Sequence, residues 1–570
     1  MRRVFPSRFP TSLFPSLFAI GIVLVAGFVL FATLRFVTAV YGLSVDDGYI
    51  FLVYARNLAA GQGWSFNPGE VSFGTSSPLW ALMLAATALV GADLIHAARI
   101  LGGLFYAGAA ALSILIFYTV TGNRAWALLT GVVMAGIGNL LLIAVSGMEV
   151  TAHSFFMLAF VYLIARWGMA RPLPLGIVTG LFFLSRPDAV IAAPIFIASW
   201  WLVALASRRP VGPLLRSTGR AWLIFVGSAL LVVAPWVIFV YTHTGKFLPT
   251  THYAKLLSMP GAPETLDDTF VERVTHALTY AREGLTWIFT QNGLLISFPL
   301  MVVALLWLMG QLVAQVEGRN QDPAQQNRFT AQWVMVGLLL LLPLEYGWQT
   351  PWWYGGYLHR YILPVLPLAL ILTFLGGYHL LCMTGLYPLP AQAPTQPASP
   401  QGANSGPIWV GNALLLLVTL VILARSVAYY RLVDNLVAHY GHLIAENEDY
   451  RRSVAEWIDT HTPADARVGE TFLGVGAIGY YANRYIVDAG GLVDGTILDY
   501  WAADGDPKFS EAETLHYFQA KGIDIVIGPP GMEKNPTWPL TPITQIHNQS
   551  GDLSWDGADF NTVVLFRPRP

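Results

Sequence analysis

The chain of 570 residues contains one cysteine, Cys382, inside an apolar run. A single thiol cannot close an intrachain disulfide, and no cysteine zinc cluster fits. Charge is scarce as well. Asp, Glu, Lys and Arg make up 12% of the residues, against roughly 25% in a soluble domain. The 32 basic and 34 acidic residues nearly cancel, leaving a formal −2. That balance suggests neither a nucleic-acid binder nor a strongly basic membrane-surface protein. No phosphate-binding P-loop and no zinc-protease histidine pair occurs. No internal repeat is evident, which counts against a transporter built from two related halves.

What the chain has instead is apolar length. Hydrophobic residues reach 55%, and mean hydropathy is +0.54. Apolar runs that can span a bilayer are Leu17–Leu34, Ala97–Val120, Trp126–Val145, Val150–Ala165, Leu173–Leu184, Ala189–Ala206, Trp222–Tyr241, Leu294–Val316, Trp333–Leu344, Ile362–Leu381 and Ile408–Ala428. The first follows Arg2, Arg3 and Arg8 like a signal peptide. It is too long and lacks a clear cleavage site, so it reads as a spanning helix. Ser77–Gly91 would cover about 22 Å of a hydrocarbon core about 30 Å thick. It reads as an interfacial helix.

Arginine placement sets the expected topology. With eleven spans and the N-terminus inside, the inner loops collect Arg124, Arg166, Arg171, Arg208, Arg209, Arg216, Arg220, Arg319 and Arg328, as the positive-inside rule requires. A twelfth span would move the cluster around Arg208 outside. The same bookkeeping puts residues 41–96, 242–292 and 346–360 outside, together with everything after about Tyr430. Residues 388–407, rich in Pro, Ala and Gln, read as an inner linker. The expected division is a membrane module over 1–432 and an extracytoplasmic α/β domain over 433–570. Within that tail, Ser453–Thr460 and Glu511–Lys521 read as helices, and Arg467–Phe472, Tyr485–Asp488 and Ile523–Gly528 as strands. The fold class is therefore a polytopic α-helical membrane protein, located in a cell membrane, with an α/β tail.

Polar residues able to do chemistry collect at the outer ends of separate spans. Asp46 and Asp47 follow the first span, in SVDDGYIFLVYARNLAAGQGWSFNPGE. Alone, the pair would serve as the negative first turn of a helix. Four further stations share its side: Glu149 in SGMEV, Arg186 and Asp188 in LSRPDAV, His252 and Lys255 in FLPTTHYAK, and His359 and Arg360 in YGGYLHRYILP. Acids converging with Arg, Lys and His on one face suggest a base beside an anion cradle. The string around Trp348, Trp352, Trp353, Tyr354, Tyr357 and Tyr361 fits an interfacial aromatic belt or a surface that stacks on sugar rings. GVGAIG at Gly474, Gly476 and Gly479, with Asp494 downstream, matches a dinucleotide fingerprint. The tail is too small for a full doubly wound sheet, and tight strand-to-helix packing accounts for the glycines.

The order of these strings carries a family resemblance. Asp-Asp after the first span, ARNL, NPGE, SPLW, Gly-Met-Glu after the third span, RPD after the fifth, THYAK after the seventh, and VGAIGYY with DAGGLVD in the tail resemble GT-C glycosyltransferases. Among them the chain looks most like arabinofuranosyltransferases of cell-wall arabinan and their bacterial relatives. The resemblance implies catalytic acids in the first loop and a sugar donor carried on a polyprenyl phosphate. FGTSSPLW and THYAK depart from the commoner strings, and the sugar is left open.

An acceptor hydroxyl needs a carboxylate base, and a departing phosphate needs cationic donors. Asp46 is the first choice of base with Asp47 in support, and the two are exchangeable. Arg186, His252, Lys255, His359 and Arg360 are the donor-phosphate candidates. Glu149, Asp188, Trp352, Trp353 and Tyr357 are the substrate-binding candidates. Expected partners are a polyprenyl-phosphate sugar, a glycan or other extracytoplasmic acceptor, and the bilayer. No cofactor is expected, and a divalent metal stays open. The rival readings are a lipid-linked sugar transporter or flippase and a non-catalytic membrane scaffold.

Overall fold

The computed structural model describes residues 13–257, 269–291, 297–317, 322–349, 360–384, 434, 444–471, 474–497, 499–500, 511–536, 538–548, 554–555, 558–559 and 562–568. The expected span Ile408–Ala428 and the linker 388–407 lie outside these residues.

The other ten expected spans each coincide with helix. In chain order the elements are α1 (Leu13–Ala39), α2 (Asp46–Ala59), α3 (Pro78–Leu89), α4 (Leu94–Thr121), α5 (Arg124–Ala135), α6 (Gly138–Ala144), α7 (Val150–Arg166) and α8 (Pro172–Ser185). A 3₁₀ turn, Pro187–Ile191, leads into α9 (Ala192–Ala206). Then come α10 (Val211–Thr244), α11 (Thr250–Leu257), α12 (Phe270–Gln291), α13 (Ser297–Val316), α14 (Pro323–Gln349) and α15 (Leu366–Met383). Among the described residues seven helices are long and apolar enough to cross a membrane, or eight if the bent pair α5–α6 is one span.

Burial separates the helices that face lipid from those that fill the bundle. Only 17% of the apolar window of α10 is buried, against 78% for Leu363–Met383. A helix apolar all round is stable in either place, because hydrocarbon and protein interior make similar demands. The short helix α3 is started by Ser77, whose side chain accepts from the Trp80 N–H at 3.3 Å, with Pro78 at the first helical position. That is favourable N-terminal chemistry.

The tail begins with α16 (444–461). Its strands are β1 (Arg467–Glu470), β2 (Tyr485–Asp488), β3 (Ile525–Gly528), β4 (Leu540–His547), the short pair β5 (Ser554–Trp555) and β6 (Ala558–Asp559), and β7 (Thr562–Pro568). Helices α17 (Val475–Tyr481) and α18 (Glu511–Lys521) lie between them. The main sheet has the order β2-β1-β3-β7-β4. β1 runs parallel to β2 and β3, and β7 runs antiparallel to β3 and β4. The sequence reading missed β4 and β7. In β4 the exposed positions outnumber the buried ones, so its hydrophobic pattern is weak.

The tail is clamped onto the loop between α1 and α4. Asn67 exchanges two hydrogen bonds with the Ile486 backbone of edge strand β2, at 2.8 and 2.9 Å. A side-chain amide thereby covers part of an otherwise open sheet edge. Arg56 donates to the Tyr480 and Gly479 carbonyls at 2.8 and 3.1 Å. Buried Glu448 of α16 accepts the hydroxyls of Tyr49 and Tyr481.

Candidate functional site

Asp46 and Asp47 open α2, and successive helical side chains diverge by about 100°. The two carboxylates consequently enter different surroundings. Asp46 turns to the tail and accepts the backbone N–H groups of Gly476 and Ala477, both at 2.8 Å. Burial pushes its carboxyl up, opposed by nearby Arg451 and by those N–H groups. Asp47 faces a cavity of about 100 Å³, where its carboxylate meets Arg360 Nη2 at 2.6 Å. Asp47 is 26% exposed and Arg360 only 5%.

The contact with Asp46 explains the glycines of GVGAIG. A Cβ on Gly474 would lie 2.5 Å from Asp46 Cγ, and Gly474 has φ +115°. A Cβ on Gly476 would lie 2.3 Å from the Asp46 carbonyl oxygen, and one on Gly479 would lie 2.3 Å from the Phe66 ring. The expected explanation, packing of helix on strand within the tail, is corrected. The glycines let α17 approach the first loop, and Asp494 is held by Lys521 Nζ at 2.8 Å and the Tyr517 hydroxyl at 2.6 Å.

The cavity gathers residues from all five loop stations: Asp47, Glu149, Arg186 with Asp188, His252, and Arg360. Tyr346, Tyr361, Ser76, Thr251 and, from the tail, Leu492 complete its principal lining. Arg186 is buried between the rings of Tyr346 and Tyr361, 5.2 Å from each centroid. It contacts Glu149 Oε1 and Asp188 Oδ2, both at 3.4 Å, and donates to the Tyr346 hydroxyl and the Arg360 carbonyl. Its N–H groups are largely engaged within the protein. Glu149 Oε2 is buried and has no hydrogen-bond partner among the described residues.

Behind the cavity, His153 sits between Ser185 Oγ at 2.9 Å and Asp188 Oδ1 at 3.7 Å. The sequence reading missed His153, Tyr346 as a site residue, and Leu492. His153 lies within an apolar helix, where a lone histidine carries no signal. Tyr361 was visible only as part of the aromatic string. His252 lines the cavity from α11, while the side chain of Lys255 lies outside the described residues. His359, Trp352, Trp353 and Tyr357 lie outside them entirely. No group of three or more His, Cys, Asp or Glu suited to a metal occurs among the described residues.

Solved structures place this architecture. The chain is similar to ArnT from Cupriavidus metallidurans bound to undecaprenyl phosphate, at 14% identity and a TM-score of 0.54, over 98% of each chain. It is similar to apo ArnT from the same organism at 14% identity and a TM-score of 0.53, over 96% of this chain and 97% of that one. It is similar to the arabinofuranosyltransferase AftD from Mycobacteria at 15% identity and a TM-score of 0.47, over 96% of this chain and 40% of AftD. A family model described as a domain of unknown function (DUF8728) matches residues 439–560, inside the tail. No curated protein matches the sequence. The likeness to ArnT shows the fold, a polytopic α-helical membrane protein of GT-C type.

Proposed function

We propose that this protein is a glycosyltransferase that moves a sugar from a polyprenyl-phosphate donor to a hydroxyl of an extracytoplasmic glycan or other acceptor. The observation that carries the reading is the Asp47–Arg360 pair lining a cavity, in a fold shared with a protein solved with undecaprenyl phosphate. The sugar is a pentose or hexose, with arabinofuranose the first to test.

Asp47 is the base in this reading. Asp46 has its oxygens occupied by two backbone N–H groups, and its carboxylate is better placed to hold the tail. The acceptor O–H gives its proton to Asp47 as its oxygen bonds to the anomeric carbon. The anomeric C–O bond to phosphate breaks on the opposite face, and its electron pair leaves with the polyprenyl phosphate. A single displacement inverts the anomeric carbon. Arg360 and His252 supply charge and hydrogen bonds to the leaving phosphate. Glu149 Oε2 accepts a sugar hydroxyl, and Arg186 holds Glu149 and Asp188 in position.

The test is single turnover of purified protein in lipid nanodiscs with decaprenyl-phosphate arabinofuranose and its pentose and hexose analogues, each with oligosaccharide acceptors. Release of polyprenyl phosphate with formation of a glycoside of inverted configuration is expected. Passage of uncleaved donor across a vesicle membrane, without any cleavage, would establish the flippase reading instead.

A further inference from the structure

A second cavity, of about 320 Å³ and so larger than the first by the same measure, lies at the seam of the first loop, the end of α10 and the tail. Its polar lining includes Glu70, Ser72, His243, Lys246, Thr496 and Asp499. Phe73 and Val493 give it an apolar side.

The two cavities are back to back. Gly74, Thr251 and Leu492 line the first, and their chain neighbours Phe73, Thr250 and Val493 line the second. The partition is thin and tightly made. The Thr250 N–H donates to the Phe73 carbonyl at 3.1 Å. A Cβ on Gly74 would lie 2.8 Å from Val493 Cγ1, and a Cβ on Gly495 would lie 2.5 Å from Thr250 Cγ2. A ligand in the second cavity therefore sits one chain thickness from the first cavity.

Charge decides the ligand class. Glu70, Asp494 and Asp499 face Lys246 and His243. The Lys246 ammonium already lies 4.8 Å from the Tyr253 ring centroid. Asp494 is already paired with Lys521, which leaves Glu70 and Asp499 against the single ammonium of Lys246, and an anionic ligand would meet that excess of negative charge. A neutral polyol instead offers hydroxyl donors to the carboxylates and acceptors to His243 and Lys246. Its C–H faces can rest on Phe73 and Val493.

We propose that this second cavity is a carbohydrate site, holding a neutral sugar unit of an oligosaccharide. As an anchor for the acceptor it rests on the transferase reading above. As a sugar site it does not.

The experiment is saturation-transfer NMR on the detergent-solubilised full chain, with neutral tri- to hexasaccharides of arabinose, mannose, galactose and glucose as probes. At least one series is expected to bind the wild type. Asp499→Ala combined with His243→Ala, both at exposed positions, should weaken it at least fivefold. Val71→Trp, which fills the rim from a half-exposed position, should do the same. Asp47→Asn should leave binding unchanged. No binding by any probe, or equal binding by wild type and both seam variants, overturns the site. So does loss of binding in Asp47→Asn alone, which would move the sugar to the first cavity. Seam-dependent binding by a protein that cleaves no polyprenyl-phosphate sugar would sustain this site and refute the transferase reading.

Discussion

The seam under the tail and the cavity beside it both bury carboxylates, and they satisfy them differently. At the seam, Asp46 takes two backbone N–H groups. Asp488 takes three, from Gly490, Leu492 and Val493, at 2.7, 2.5 and 2.9 Å. Backbone donors are fixed by the fold and cannot follow a substrate. In the cavity, Asp47 and Glu149 meet guanidinium groups; Arg186 is engaged within the protein, whereas Arg360 is a side chain that a ligand phosphate could recruit in the proposed transferase. Backbone-held acids build a joint, whereas acids held by side chains can exchange partners during a reaction.

The sharpest way to break this comparison is to neutralise the two adjacent aspartates separately. Asp47→Asn should lower the rate of transfer by about 10²–10⁴-fold, the usual worth of a positioned base, with melting behaviour unchanged. Asp46→Ala should act first on stability, by about 3–6 kcal/mol for two hydrogen bonds to a charged group. Hydrogen exchange should then quicken in residues 475–481. If Asp46→Ala removed all turnover while exchange at α17 stayed slow, Asp46 would recover the role of base.

Acid titration tests the joint alone. Burial pushes the Asp488 carboxyl up to about 6. The folded state then keeps this proton to higher pH than the unfolded chain does. Its stabilising contribution is complete below about pH 4 and is lost as pH rises through about 6, worth on the order of 2–3 kcal/mol. Wild-type stability minus that of Asp488→Asn, measured by denaturant titration from pH 4 to 7, should fall over that window. A flat difference would mean that Asp488 titrates as it does in the unfolded chain.

The smallest expected effect sharpens the account of the cavity. Arg360 pairs with Asp47, and in the proposed transferase the carboxylate and the donor phosphate would compete for it. Asp47→Asn should therefore bind polyprenyl phosphate several-fold more tightly than wild type, by about 1 kcal/mol. Weaker binding in isothermal titration would show that Asp47 helps to position Arg360 for the phosphate.

The polar and aromatic side chains of the tail are largely committed within the protein. Asp488 is committed to its own loop, and Asp494 to Lys521, Tyr517 and Thr496. Tyr480 and Tyr481 pack beside Tyr49 at 5.7 and 5.9 Å between ring centroids, and Tyr485 donates to Glu70.

The sequence by itself determined the membrane class, the positions of the ten described spans and the five stations that meet at the cavity. Apolar runs in a bilayer must satisfy their backbone internally, so hydropathy and helix position coincide. Polar side chains at span ends are conspicuous because the rest of each run is apolar. Tertiary structure decided which of two adjacent aspartates enters the cavity, because a difference of about 100° around α2 has meaning only once neighbours occupy each side. It also decided what the glycines of GVGAIG accommodate. Asp46 is 428 residues before Gly474 in the chain, and no local pattern records a contact over that separation. Closing it takes the fold of the whole bundle, which brings the tail back over the first loop.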